Sequence, residues 1–189
     1  MKIKRISLPI IATLVAGFFV MVAPVAAEAA TGATILANWS DAFNRPVFVR
    51  IGTYDGVNGF GMSKIQKKHN IYWTASLKFV TANPNGGTKQ GDDRLYLAYA
   101  NRKVCSSSGT CTYTTSIPVR VVMSNVYAGT YYGVVVNGAI GIKTAYCITD
   151  TAATDCPAWV DEALSNIAAR TATPAPETVW SYTPLGATP

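Results

Sequence analysis

Histidine and the common catalytic motifs are almost missing from this sequence. His69 is the only histidine in 189 residues, which excludes a zinc site of the His-Glu-x-x-His type. No Gly-x-Ser-x-Gly segment supplies a serine nucleophile, and the glycine-rich stretch 56–61 lacks the Lys-Ser/Thr ending of a phosphate-binding loop. These absences argue against the usual enzyme classes, and the sequence predicts no cofactor and no metal.

Long hydrophobic runs are absent after the first 25 residues. The first five residues include three basic ones, and an uncharged apolar segment follows over 6–25. Ala27 and Ala29 then place small residues at the −3 and −1 positions of a cleavage site. The pattern predicts a signal peptide over 1–29, and no later run reaches the roughly 18 apolar residues that a membrane span requires. We therefore expect a secreted, extracellular protein with no transmembrane segment after the signal peptide.

All four cysteines lie beyond the predicted signal peptide. An even number of cysteines in an exported chain predicts disulfide bonds. Consecutive cysteines are six or nine residues apart, which favours the local bridges Cys105–Cys111 and Cys147–Cys156. A zinc site built from four thiolates is the alternative, but no Cys-x-x-Cys pair is present and the expected compartment is oxidising.

The chain that remains has the length of one ordinary domain. We assign residues 30–170 to a single secreted β domain and residues 171–189, which hold four prolines, to a Pro/Thr-rich C-terminal tail. Alternating apolar and polar residues between frequent turns predict a mainly β fold, a β-sandwich or open barrel of about seven strands. One C-terminal helix is predicted over 157–170, because Pro157 suits a first turn and an apolar stripe follows it.

Three local patterns predict where strands and turns lie. Residues 71–79 alternate apolar and polar side chains, which is the clearest pattern of a half-buried strand in the chain. Residues 94–104 and 112–123 predict a hairpin whose tip holds the Cys105–Cys111 bridge. Asn137-Gly138 lies between two apolar runs, and this pair favours a two-residue hairpin turn because both positions accept positive φ.

Charged residues make up only 14% of the chain, and they are unevenly distributed. The predicted mature chain has 13 basic and 9 acidic residues, a net charge of +4. Between Gly61 and Val104, eight basic residues stand against two acidic ones, whereas the chain after Lys143 carries a net charge of −4. A basic face of this kind attracts an anionic polymer, a glycan or cell-surface lipid headgroups, and nucleic acid is a less favoured partner. An evenly mixed, solvated surface is the alternative.

Tyrosines on or near the predicted strands are candidate stacking surfaces for sugars or bases. They are Tyr72, Tyr96, Tyr113, Tyr127, Tyr131 and Tyr132. In a β fold most tyrosines pack in the core, so this feature supports binding only where the rings are exposed.

The candidate binding residues are contiguous and precede the strand predicted over 71–79. They are Lys64, Lys67, Lys68, His69 and Asn70. One helical turn would place Lys64 and Lys68 on one side, and the predicted function is non-catalytic binding of an anionic or carbohydrate surface. The alternative is an exported toxin or bacteriocin-like effector, a ribonuclease that uses His69 as general acid or base with Asp55, Asp92 or Asp93 as its partner. A third interpretation makes the segment a solvated loop.

Overall fold

A computed structural model gives the fold and describes residues 31–149, 155–165 and 178–185. The prediction of a mainly β fold of the sandwich or open-barrel kind is confirmed. The strands of the described residues are β1 (Ile35–Ser40), β2 (Pro46–Arg50), β3 (Thr53–Tyr54), β4 (Gly59–Phe60), β5 (Thr88–Gln90), β6 (Asp93–Cys105), β7 (Cys111–Tyr131), β8 (Val134–Cys147) and β9 (Thr178–Ser181). The helices are α1 (Gly61–His69), α2 (Thr74–Thr81) and α3 (Ala158–Ser165).

Strand β7 is the centre of a five-stranded antiparallel sheet. It pairs with β6 on one side, where Asp93 lies opposite Ser124, and with β8 on the other, where Cys147 lies opposite Val119. The outer edge of β6 pairs with β5 at one end and with β9 at the other. β1 and β2 form a separate antiparallel pair, and β2 packs against β8. Two short strands therefore share the edge of β6.

One large hydrophobic core joins this sheet to β2 and the helices. Its fully buried members include Val47, Val49, Ile65, Ile71, Leu77, Tyr96, Val119, Ile142 and Leu164. Burying one such aliphatic side chain contributes about 1.5–3 kcal/mol. The core extends into the predicted tail, because Trp180 and Tyr182 pack on Phe79 with ring centroids 4.1 and 4.9 Å away.

Residues 74–81 form helix α2, so the strand predicted over 71–79 is wrong. The residue before the helix, Trp73, makes no side-chain cap. Instead the Asp161 carboxylate accepts hydrogen bonds from the Tyr72 backbone N–H at 2.7 Å and from Ser76 Oγ at 2.5 Å. A carboxylate in this position satisfies N–H groups that a helix start leaves free and favours the helix dipole. The helix is thus fixed by a residue 85 positions away from Ser76, beyond any local pattern.

The hairpin between β7 and β8 turns at Tyr132-Gly133, so the turn predicted at Asn137-Gly138 is also wrong. Tyr132 and Gly133 have φ of 46° and 76°, as this type of two-residue turn requires. Asn137 does have positive φ, 43°, but it lies inside β8 opposite a register shift in the β7 ladder. The Asn-Gly pair therefore predicted positive φ at Asn137 correctly, but this conformation occurs at an irregularity within β8 and not in a hairpin turn.

Both predicted disulfides are confirmed. Cys105–Cys111 closes the tip of the β6–β7 hairpin, and Cys147–Cys156 joins the end of β8 to the segment before α3. Helix α3 begins right after Pro157, as expected, and the rest of the predicted helix, 166–170, lies outside the described residues. The predicted signal peptide and tail residues 171–177 and 186–189 lie outside them too. No helix within the described ranges is long and apolar enough to cross a membrane.

Candidate functional site

Helix α1 carries the predicted binding residues and is buried along one side. Met62, Ile65 and His69 recur at helical spacing and are buried. Asn70 ends the helix with a left-handed backbone, φ 57°, and its N–H donates to the Gln66 carbonyl at 3.2 Å. Basic side chains in the last turn favour the negative end of the helix dipole. The segment is a packed helix, so its interpretation as a solvated loop is wrong.

We call Lys64, Lys67 and Lys68 of α1, together with Lys143 of β8, the lysine face. Lys64 and Lys68 are one helical turn apart on the same side of α1. Burial lowers the pKa of Lys64, and the positive charges of Lys68 and Lys143 lower that pKa further. Helix α1 also packs against β8, the strand that carries Lys143. Among the described residues, no carboxylate forms a salt bridge with the three lysines of α1.

Lys143 does have an acidic neighbour. Its Nζ lies 2.8 Å from Oδ2 and 3.2 Å from Oδ1 of Asp93, at the start of β6. Burial alone would lower the pKa of Lys143, but the hydrogen bond with Asp93 and the nearby Tyr131 hydroxyl raise it overall. A partly exposed ion pair of this kind contributes at most about 1 kcal/mol. Asp93 therefore offsets the charge of Lys143, while no salt bridge of the described residues offsets the three lysines of α1, so the lysine face keeps a net positive charge.

The tip of the β7–β8 hairpin brings aromatic rings to the same region. Tyr131 meets Phe60 edge-on with ring centroids 5.1 Å apart, and Tyr132 stacks on Phe60 at 6.5 Å. The Tyr132 side chain is 48% exposed, and both tyrosines affect the pKa of Lys143. An open recess of about 420 Å³ at this ring is lined by Thr53, Asp55, Asn58 and Tyr132. A partly exposed aromatic ring thus stands beside the lysine face.

The β7–β8 ladder is irregular along this hairpin. The register shifts after Val122, again after Ser124, and again after Ala128. Bulges of this kind bend a strand pair and increase its twist. Gly141 has φ of 84°, and a Cβ there would lie 2.6 Å from the Phe48 ring, so the close approach of β8 to β2 requires glycine.

The other two predicted binding residues fasten α1 to the rest of the fold. The His69 side chain is 4% exposed, and its ring centroid lies 5.8 Å from that of Tyr146. The His69 carbonyl accepts the Cys156 backbone N–H at 3.1 Å, and Asn70 Nδ2 donates to the Cys156 carbonyl at 2.8 Å. The structure thus brings the lysines together on a surface and places His69 and Asn70 against the Cys147–Cys156 bridge. A role for these two in ligand binding stays a prediction.

Sequence reasoning missed Trp73, which is 60% exposed. The period-two pattern assigned it to the buried face of a strand, whereas it stands in front of α2. Tyr72, the residue before it, is 55% exposed, and we call these two side chains between α1 and α2 the aromatic pair. An open groove of about 410 Å³ beside it is lined by Trp73, Ala75, Glu162 and Ser165. Ser76 and Leu77 are adjacent and both buried, which fits a helix and not an alternating strand, and the local sequence pattern does not show this.

The comparisons with known proteins add no relative. A scan against protein-family models, a search of curated proteins and a search of solved structures each found no match to this chain. In the described parts of the chain, no three His, Cys, Asp or Glu side chains come together as metal ligands. The site is therefore interpreted from its own charges and shape.

Proposed function

We propose that this protein is a secreted, non-catalytic binder of anionic polymers at a cell surface, and that the lysine face makes the contact. The observation that carries this proposal is that α1, with three lysines that form no salt bridge among the described residues, packs against β8, the strand that carries Lys143. Export is supported by the two disulfide bonds and by the signal-peptide pattern over 1–29.

The lysine face has the chemistry that an anionic polymer requires. Burial is the main cause of the lowered pKa of Lys64, and repulsion from the like charges of Lys68 and Lys143 adds to it. A chain of phosphate, sulfate or carboxylate groups relieves that repulsion and gains charge-assisted hydrogen bonds. Because these groups are partly exposed, salt screens the attraction over about 8–10 Å at moderate ionic strength. The proposal therefore implies binding that weakens as salt rises.

The ribonuclease alternative draws little support from the geometry. A general acid or base has to come within hydrogen-bond reach of the substrate, directly or through one water. The His69 side chain is 4% exposed, behind the last turn of α1 and against Tyr146. Of its proposed partners, Asp55 accepts the N–H groups of Val57 and Asn58, and Asp93 binds Lys143.

The test is retention on immobilised dextran sulfate and on heparin as salt is increased. A Lys64→Ala/Lys67→Ala/Lys68→Ala variant is compared with a Lys78→Ala/Lys89→Ala/Lys103→Ala variant, which loses the same charge elsewhere. We expect the first variant to bind about tenfold or more weakly and with a flatter salt dependence, and the control to stay near wild type. The free energy of unfolding of both variants, measured by thermal unfolding, should change by less than about 0.5 kcal/mol, because partly exposed charges without a salt bridge contribute little to stability.

Equal weakening of the two variants would reject the lysine face and leave only an effect of net charge. Failure of the wild-type protein to bind either polymer at low salt would reject the function itself. RNA cleavage by the wild-type protein that disappears in His69→Gln, with the fold retained by circular dichroism, would establish the ribonuclease alternative instead.

A further inference from the structure

A second surface, at the connection between α1 and α2, has a different chemistry from the lysine face. Tyr72 and Trp73 are adjacent, and their side chains are 55% and 60% exposed. Two adjacent exposed aromatic rings offer an apolar patch on which a ligand can stack.

The backbone beneath these rings is held firmly. The buried carboxylate of Asp161, 3% exposed, accepts hydrogen bonds from the backbone N–H groups of both Tyr72 and Trp73. The same carboxylate accepts the Ser76 hydroxyl, whose Oγ is also within 3.2 Å of the Asp161 carbonyl. An aromatic ring on a fixed backbone loses little freedom when it binds a ligand, which is a general source of affinity.

The groove beside Trp73 combines an apolar wall with hydrogen-bonding groups. Its volume is about 410 Å³ and it is open to solvent, so it can contact one face of a ligand without enclosing it. The indole and the Ala75 methyl supply the apolar wall, and α3 supplies the exposed Glu162 carboxylate and Ser165. Ser165 Oγ donates to the Glu162 carbonyl at 3.4 Å, so its lone pairs remain able to accept a hydrogen bond.

We propose that this groove binds a neutral sugar ring, with Trp73 stacked on the ring and Glu162 and Ser165 bonded to its hydroxyl groups. A pyranose has an apolar C–H face and a rim of hydroxyls, which match the indole and the polar wall. A sulfated or phosphorylated unit does not fit, since the groove carries the negative charge of Glu162. The inference goes beyond anionic-polymer binding, because it concerns other residues and an uncharged ligand.

The test follows the indole N–H signal of Trp73 in nuclear magnetic resonance spectra of the full chain, assigned by its loss in Trp73→Phe. The probes are cellotetraose and the tetramer of N-acetylglucosamine, titrated to about 10 mM. We expect saturable shifts with at least one probe, unchanged by salt. Binding followed on other signals should weaken about tenfold in Trp73→Ala and weaken clearly in Glu162→Ala. Tyr127→Ala, which removes a ring that is 71% exposed on β7, should bind as wild type.

With these variants, the sugar site and the lysine face can each be rejected independently of the other. The triple lysine variant should still bind the sugars, and Trp73→Ala should still bind dextran sulfate. No shift of the Trp73 signal with either sugar overturns the sugar site, whatever the result with dextran sulfate. Shifts that vanish in the triple lysine variant while Trp73→Ala binds normally would overturn it as well.

Discussion

The carboxylate of Asp161 and the hydroxyl of Ser76 lie 2.5 Å apart across the contact between α3 and α2. Both side chains are buried, with exposed fractions of 3% and 1%. Burial raises the pKa of Asp161, and the hydrogen bonds from Ser76, Tyr72 and Trp73 act in the opposite direction. Through this carboxylate, α3 fixes the start of α2 and the backbone of Tyr72 and Trp73.

Removing the Asp161 carboxylate should therefore destabilise the whole fold. We expect Asp161→Ala to lower the free energy of unfolding by about 2–4 kcal/mol, because buried N–H and O–H donors lose their acceptor. Glu162→Ala, one residue along on the exposed side, should change it by less than about 0.5 kcal/mol. Urea unfolding followed by circular dichroism measures both, and similar values for the two variants would contradict this assignment.

The raised pKa of Asp161 also predicts a pH dependence with a definite sign. The folded state holds this proton more tightly than the unfolded chain, whose carboxyl has the ordinary value of 3.8. Falling pH therefore adds stability through this group as it passes the folded pKa. We expect the stability of the wild type relative to Asp161→Asn to improve between about pH 7 and about pH 4. A difference that stays constant or shrinks over this range would refute the pKa direction.

Ionisation of Tyr96 should lower the stability of the fold at alkaline pH. Its hydroxyl donates to Asp41 Oδ2 at 2.9 Å, and burial and then Asp41 raise the pKa of Tyr96 from 10.0 to about 12. The folded state keeps the phenol proton more tightly, so this contribution to stability is complete below pH 10.0 and is lost towards about pH 12. Unfolding measured across this window should show the loss in wild type and in Tyr127→Phe, and a smaller loss in Tyr96→Phe. Parallel curves for all three would argue against the buried phenol.

Gly141 should tolerate no side chain. Gly141→Ala has to accept φ of 84° and a Cβ within 2.6 Å of Phe48, so we expect a loss of about 2–4 kcal/mol. Gly91→Ala is the matched control, because φ there is 58° and nothing lies within 4 Å of the added carbon; its cost should be about 1 kcal/mol. Thermal unfolding compares the two, and equal losses would show that φ rather than the contact with Phe48 matters.

The two disulfides should differ in importance. Cys147 and Cys156 are 1% and 2% exposed and join β8 to the approach of α3, whereas Cys105 and Cys111 lie at an exposed hairpin tip. Each bridge closes a short loop, worth about 2–3 kcal/mol in the chain-entropy model. Replacing the buried pair, Cys147 and Cys156, by alanine also removes packing contacts. It should therefore lower the free energy of unfolding clearly more than replacing the outer pair, Cys105 and Cys111. Greater loss at the outer pair, in urea unfolding, would contradict this order.

The sequence alone predicted the features that rest on neighbouring residues. The mainly β fold, the β6–β7 hairpin and both disulfides follow from alternation and short spacings. Helix α2 could not be predicted in this way, because the apolar residues of 71–79 fit alternation while the group that starts the helix is Asp161 on α3. Tertiary contacts overrode the local pattern there.

The same distinction between local and long-range contacts applies to the candidate site. The helical grouping of Lys64 and Lys68 followed from their spacing, and the structure keeps it. Lys143 joins them through the packing of α1 against β8, and Trp73 is exposed at the start of α2, where a strand was predicted. Both depend on contacts between segments distant in sequence, which a single sequence does not show.

The sharing of one edge of β6 between β5 and β9 has a consequence for self-association. β9 pairs with Tyr99, Ala100, Asn101 and Arg102, and the Asn101 amide also donates to Ser181 Oγ at 2.9 Å. An open strand edge is a template on which a second chain can add its own strand. β9 therefore covers this part of the β6 edge within the same chain. A chain cut before Thr178 would expose the edge, and two copies could then associate by pairing their β6 strands.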